Sequence, residues 1–202
     1  MPYKTLLIEK QDGIVILSLN QPEKRNAMTL ELGEEFKAAL AELKNDQEAR
    51  VLILTGQGSS FSSEGDLQST FDQFEAPPMQ AKTNIIKYYR TFLAIRDLEI
   101  PTIAVIKGHT IGAALCLALA CDMRIASTDT KMSMSFIKIG IHPGMGTSYL
   151  LPRLIGTAKA FEMCLTGDPM DGEEAHRIGL VNHVVEPERL MEFSLDLARR
   201  IA

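Results

Sequence analysis

The chain has no tryptophan, only 6% aromatic residues, and three cysteines in 202 residues. Cys116, Cys121 and Cys164 lack the paired spacing of a metal site and are too few for a disulfide framework. They read as reduced, intracellular thiols. Cations are also in short supply: 21 Lys and Arg against 26 Asp and Glu leave a net charge of -5. That balance argues against general nucleic-acid affinity, though not against an anion site built locally. No apolar run is long enough to cross a membrane, since even Ile111 to Ala120 is bounded by His109 and Asp122. The N-terminal Met-Pro-Tyr-Lys-Thr lacks the basic flank and apolar core of a signal segment, so the expected location is the cytoplasm. Four histidines, His109, His142, His176 and His183, are scattered without ligand spacing, and no metal is expected. There is no Gly-x-Ser-x-Gly elbow and no defensible internal repeat.

What is present is a soluble, globular composition, 46% hydrophobic and 23% charged, at a length that suits one domain over residues 1–202. The organising stretch is Ile100 to Asp122. Pro101 and the β-branched run Thr102 to Ile106 read as a buried strand. Lys107-Gly108-His109 reads as a turn, and Gly112 to Ala120 as a helix of small residues. A helix that starts on small residues lets a ligand approach its unpaired first N–H groups, at the positive end of the macrodipole. A developing oxyanion is one thing such a place can hold, and close helix–strand packing is the other use of the same residues.

Around that stretch the pattern alternates strand and helix, which predicts an α/β architecture with right-handed crossovers. Thr5–Glu9 and Gly13–Asn20 form a predicted hairpin about Asp12-Gly13. Thr29 caps a helix with Leu32, Phe36, Leu40 and Leu43 on one face. Val51–Leu54 is a second buried strand. The loop from Thr55 to Leu67 is glycine-rich but meets neither phosphate-loop motif, so Gly65 reads as a bend that presents backbone N–H groups. Ser69 to Pro78 is a loop or lid, and Ala81 to Leu98 a helix whose stripe of Ile85, Tyr88, Tyr89, Phe92 and Ile95 reads as core. Beyond the centre, Met123–Ala126 and Lys131–Met134 are short strands, and Gly140 to Gly146 is a second glycine-rich turn. Ala158–Leu165 and Gly172–Ile178 are helices, Leu180–Val185 a strand and Pro187–Ile201 a closing helix.

Eight segments, in order, resemble one family, the crotonase or enoyl-CoA hydratase/isomerase superfamily. They are Asn20-Gln-Pro-Glu-Lys-Arg-Asn-Ala27, Leu54-Thr-Gly-Gln-Gly58, Phe61-Ser-Ser-Glu-Gly-Asp-Leu67, Pro101 through Asp122, Gly140-Ile-His-Pro-Gly-Met-Gly146, Leu151-Pro-Arg-Leu-Ile-Gly156, Leu165-Thr-Gly167 and Gly179-Leu-Val-Asn-His-Val-Val185. The resemblance implies a spiral of ββα units and an enzyme, a lyase or isomerase, acting on an acyl-CoA thioester. It implies no cofactor beyond the coenzyme A of the substrate, no nucleic-acid or membrane partner, and assembly into trimers or hexamers. Two backbone N–H groups, which map by position onto Gly65 and Ala113, polarise the thioester carbonyl and hold the enolate-like oxyanion. Lys24, Arg25 and Ala27 would lie near the nucleotide part of coenzyme A, with Ser63, Asp66 and Leu67 along the adenine and pantetheine path.

The chain departs from the family at the proton-transfer positions. The two glutamates that hydratases use map onto Cys116 and Phe136, and a third acidic position of some relatives maps onto Gly144. Phe136 cannot move a proton, and a thiolate at Cys116 is disfavoured in an apolar helix. Glu64, beside a predicted oxyanion donor, and His142, in the second glycine turn, are the candidate replacements. Isomerisation or an atypical hydration is the leading expectation. A catalytically silent acyl-CoA binder and a CoA thioester hydrolase are the alternatives. Relatives continue past the position of Ala202 with further helices that complete the CoA site, so this part is expected to be short or missing.

Overall fold

The structure, a computed structural model, describes residues 3–63 and 76–202. Asp12 and Gly13 both take positive φ, 51° and 78°, which suits an aspartate–glycine turn. The chain therefore reverses between β1 (Leu6–Gln11) and β2 (Ile14–Leu19), an antiparallel pair with Gln11 opposite Ile14. All later pairings in this sheet are parallel, through β3 (Val51–Gly56), β5 (Thr102–Ile106), β7 (Met123–Ser127) and β9 (His183–Val185). The resulting order is β1-β2-β3-β5-β7-β9.

A second sheet is parallel throughout and runs β4 (Ser62–Ser63), β6 (His109–Ile111), β8 (Lys131–Ser133), with Thr110 paired to both Ser62 and Met132. Each of the pairs β3/β4, β5/β6 and β7/β8 thus gives its first strand to the large sheet and its second to the small one. This is the spiral expected from the resemblance. The repeat lies in the path of the chain, with no matching repeat of residue identity.

Both faces of the large sheet are covered, which is why its strands are nearly continuous Val, Ile and Leu. Leu17, Leu52, Leu54, Ala104 and Ile106 pack with Leu32, Phe36 and Leu40 of α1 (Leu30–Lys44) and with all of α3 (Ala113–Ala120). Their alternating neighbours Val51, Ile53, Ile103, Val105 and Ile125 meet Leu190, Leu197 and Ala198 of α7 (Leu190–Ile201) on the other face. Between these come α2 (Pro78–Leu93), α4 (Thr147–Ile155), α5 (Thr157–Thr166) and α6 (Gly172–Arg177). The Thr29 hydroxyl caps α1 by accepting from the Leu32 N–H at 3.2 Å.

Several expected boundaries shift, among them the closing helix of 187–201, which opens with a 3-10 turn at Pro187–Arg189 before α7 begins at Leu190. The helix of 81–98 starts at Pro78 and tightens into a 3-10 turn at Ala94–Asp97. The strand of 180–185 shrinks to His183–Val185, because Gly179 at φ 80° closes α6 and turns the Leu180 N–H back onto the Ala175 carbonyl. The expected turn at Lys107–His109 ends a residue early, since His109 already belongs to β6. Of the expected lid Ser69–Pro78, residues 69–75 lie outside the described residues, and Pro78 opens α2.

Asn26 joins the two loops that approach the site. It is fully buried at φ 55°, a conformation asparagine tolerates better than most residues. Its Nδ2 donates to the carbonyls of Gln57, Ser60 and Phe61 at 2.9–3.2 Å, and its Oδ1 accepts from the Gln21 N–H at 2.9 Å. The Ser62 hydroxyl donates to the Asn26 carbonyl at 2.7 Å. Asn26→Ala should strand several buried polar groups, at a cost of about 3 kcal/mol, and lower Tm by roughly 6–12 °C. Thermal unfolding checks this, and an unchanged Tm would show that the clamp carries no weight.

Candidate functional site

The site begins where β6 passes into α3. Gly112 sits at φ 56°, ψ -117°, a region open in practice only to glycine. Its own N–H donates to the Ser133 carbonyl at 2.8 Å, and its carbonyl accepts from the Cys116 N–H at 3.1 Å. The Ala113 N–H that follows has no acceptor among the described residues, as expected for the first residue of a helix. Ala113 is 5% exposed and every residue of α3 is buried. A free donor at the positive end of a dry helix favours negative charge on an oxygen brought to it.

One turn on, the fully buried Cys116 Sγ lies 3.0 Å from Thr147 Oγ1 and 3.8 Å from the Gly144 carbonyl. The Thr147 hydroxyl also lies 2.6 Å from the Gly144 carbonyl, to which it donates. Burial, the largest influence, pushes the Cys116 thiol up to about 12, against a smaller lowering from Thr147. Cys116 is therefore a neutral S–H at physiological pH. Phe136 is buried in the 3-10 turn Ser135–Ile139 as part of the core.

Gly144 has no side chain to offer, and a Cβ there would overlap the hydroxyl and Cζ of Tyr89. The Tyr89 phenol, from α2, thus fills the space a side chain at 144 would take. Burial, and then the nearby Cys116, raise its pKa, so it stays protonated. His142 is exposed. It lines a cavity of about 420 Å³ together with Ile141, Thr147, Phe161, Cys164 and Leu165. Thr147 is the residue common to the cavity wall and to Cys116.

Lys24 and Arg25 are exposed and form no ion pair among the described residues. Ala27 is half-buried and donates its N–H to the Lys24 carbonyl at 3.1 Å. Ser63 joins them, its N–H donating to the Arg25 carbonyl at 2.9 Å. Glu64, Gly65, Asp66 and Leu67 lie outside the described residues. Among the described residues, no group of three His, Cys, Asp or Glu side chains is placed to hold a metal, and no helix is long and apolar enough to cross a membrane.

Sequence reasoning did not single out Tyr89 or Thr147, which the structure places beside Gly144 and Cys116. Tyr88 and Tyr89 look alike in the aromatic stripe of α2. Only the packing separates them: Tyr88 donates to the Met28 carbonyl at 2.8 Å and stacks edge-on with Phe92, whereas Tyr89 faces Gly144. The one available signal for Tyr89 was a side-chain-free residue in the second glycine turn.

The chain is thus a two-sheet ββα spiral whose buried helix α3 starts with an Ala113 N–H that has no acceptor among the described residues. Residues 9–202 match the enoyl-CoA hydratase/isomerase family, and the chain belongs to that family. It is 37% identical over 197 residues to a protein of Mycobacterium leprae named a probable enoyl-CoA hydratase, covering 94% of this chain and 66% of that one. To the crotonyl-CoA hydratase of Syntrophomonas wolfei it is 35% identical over 202 residues, covering 100% of this chain and 76% of the relative. The solved structure of an enoyl-CoA hydratase from Bacillus anthracis superposes with a TM-score of 0.90 at 31% identity, covering 98% of this chain and 76% of that one. The chain therefore spans about two thirds to three quarters of the length of these relatives.

The buried thiols make stability sensitive to alkali. Cys116 and Cys121 both move from 9.0 to about 12, chiefly through burial. Between those limits the folded chain holds protons that the unfolded chain has released, so stability is intact below pH 9 and falls as pH rises toward 12. Each thiol contributes up to about 1.4 kcal/mol per pH unit. Urea unfolding across that window should show the loss, and Cys121→Ala should shallow it. A flat profile would mean that these thiols ionise freely in the folded state.

Proposed function

We propose that this protein is an acyl-CoA enzyme that stabilises a thioester enolate by backbone donation and carries out isomerisation or an atypical hydration. The observation that carries the reading is the free Ala113 N–H at the buried start of α3, held in place by the positive-φ Gly112. A thioester carbonyl seated there is polarised toward C–O⁻, which acidifies the carbon next to it. One such donor is typically worth about 3–4 kcal/mol of barrier. The second donor in this reading is Gly65. The unpaired Lys24 and Arg25 supply positive charge for the phosphates of coenzyme A in a chain that is acidic overall.

Neutral Cys116 and apolar Phe136 argue against ordinary two-carboxylate hydration. They argue equally against thioester hydrolysis through a Cys116 thiolate, because burial disfavours that form. Isomerisation needs one shuttling base and tolerates this site better, with Glu64 and His142 as the groups proposed for proton transfer. Butyryl-CoA should bind saturably in calorimetry. Added salt should weaken it, and Lys24→Glu with Arg25→Glu should weaken it roughly tenfold. Crotonyl-CoA hydration should run far below the family's usual rate, since each general acid–base group contributes about 100- to 10,000-fold. Absence of butyryl-CoA binding at millimolar concentration would overturn the reading.

A further inference from the structure

We propose that the Tyr89 hydroxyl holds the oxygen atom at the third acyl carbon of a bound thioester, so that the site prefers 3-oxygenated acyl-CoA to saturated acyl-CoA. The inference rests on the acyl-CoA reading above and assigns the polar end of that site. The first support is steric. Gly144 lies outside the left-handed region, so its backbone does not call for glycine, whereas any Cβ there would overlap the Tyr89 hydroxyl and Cζ. The absent side chain at 144 and the phenol are complementary in space.

The second support is an uncommitted donor. The neighbouring Tyr88 hydroxyl is spent on the Met28 carbonyl, while the Tyr89 hydroxyl makes no hydrogen bond to any described residue. Around it stand a thiol committed to Thr147 and a threonine committed to the Gly144 carbonyl. A thiol is a weak donor. Tyr89 is thus the strongest free donor of the cluster among the described residues. Burial keeps its proton in place at neutral pH.

The third support is register along α3. Cys116 lies three steps beyond Ala113, a rise of about 4.5 Å at 1.5 Å per residue. The third acyl carbon lies two carbon–carbon bonds from the thioester carbonyl carbon, about 2.5 Å away. A substituent oxygen reaches farther still. With the carbonyl at Ala113, acyl carbons laid along α3 reach the level of Cys116, whose Sγ lies 3.8 Å from the carbonyl of Gly144, the residue that Tyr89 faces. An oxygen at the third carbon, whether a hydroxyl or a water about to add, meets the phenol O–H as acceptor.

The test compares 3-hydroxybutyryl-CoA with butyryl-CoA by calorimetry, on the intact protein and on Tyr89→Phe, which removes only the hydroxyl. The hydroxylated ligand is recovered and checked by mass spectrometry for turnover. The intact protein should bind it about three- to tenfold more tightly, the worth of one neutral hydrogen bond. Tyr89→Phe should bind both ligands equally, with butyryl-CoA affinity unchanged. Gly144→Ala keeps the phenol but displaces it, and should also abolish the preference. A preference that survives Tyr89→Phe overturns the inference, as does butyryl-CoA binding with no preference in the intact protein. Loss of butyryl-CoA binding in Tyr89→Phe would reassign the residue to structural support and likewise overturn it. If the intact protein binds neither ligand, the acyl-CoA reading itself fails.

Discussion

The constraint on which the rest depends is the complete burial of α3. Eight residues from Ala113 to Ala120 lie inside the molecule, between the large sheet and the surrounding helices. Such a helix admits small and apolar side chains and accepts a titratable one only in its neutral form. Cys116 fits that rule as a neutral thiol hydrogen-bonded with Thr147. The same burial makes the helix start chemically useful. Ala113 is 5% exposed, and in the proposed reading its N–H and the helix field would act on a bound oxygen in a low-dielectric setting. A dry donor and a neutral neighbour are two results of one packing arrangement.

The loops that reach this helix are held by separate means. Asn26 ties the Lys24–Ala27 loop to the segment after β3 through its side-chain amide, in the interior beneath two exposed cations. On the other side, Gly112 is tethered to Ser133, whose hydroxyl in turn donates to the Gly167 carbonyl at 2.8 Å. The small sheet β4-β6-β8 places both tethers in one layer. This accounts for short strands of two and three residues that have little stability of their own.

The fold was legible in the sequence to the extent that periodicity carries it. The runs Val51–Leu54 and Thr102–Ile106, the Thr29 cap and the apolar face of α1 all stand where their patterns put them. Of the small sheet only β8 was legible, as the expected strand at Lys131–Met134; strands as short as Ser62–Ser63 hold no period and draw their stability from neighbours. In the candidate site, the place of Ala113 and Cys116 on one buried small-residue helix was readable from the sequence, as was the unfavourable ionisation of Cys116 in it. Tyr89 was unreadable. A stripe of aromatics at helical spacing tells which face is buried, not which hydroxyl is committed, and that distinction arises from Met28 and Gly144, distant in sequence.

The central claim is that the start of α3 polarises a thioester carbonyl. Isotope-edited infrared spectroscopy reads it directly, with butyryl-CoA labelled with ¹³C at the carbonyl carbon and bound to the intact protein. The C=O stretch should move to lower frequency on binding as the Ala113 N–H draws charge onto the oxygen. A carbonyl that binds yet keeps its solution frequency would contradict the account, because the helix start would then be a packing feature alone.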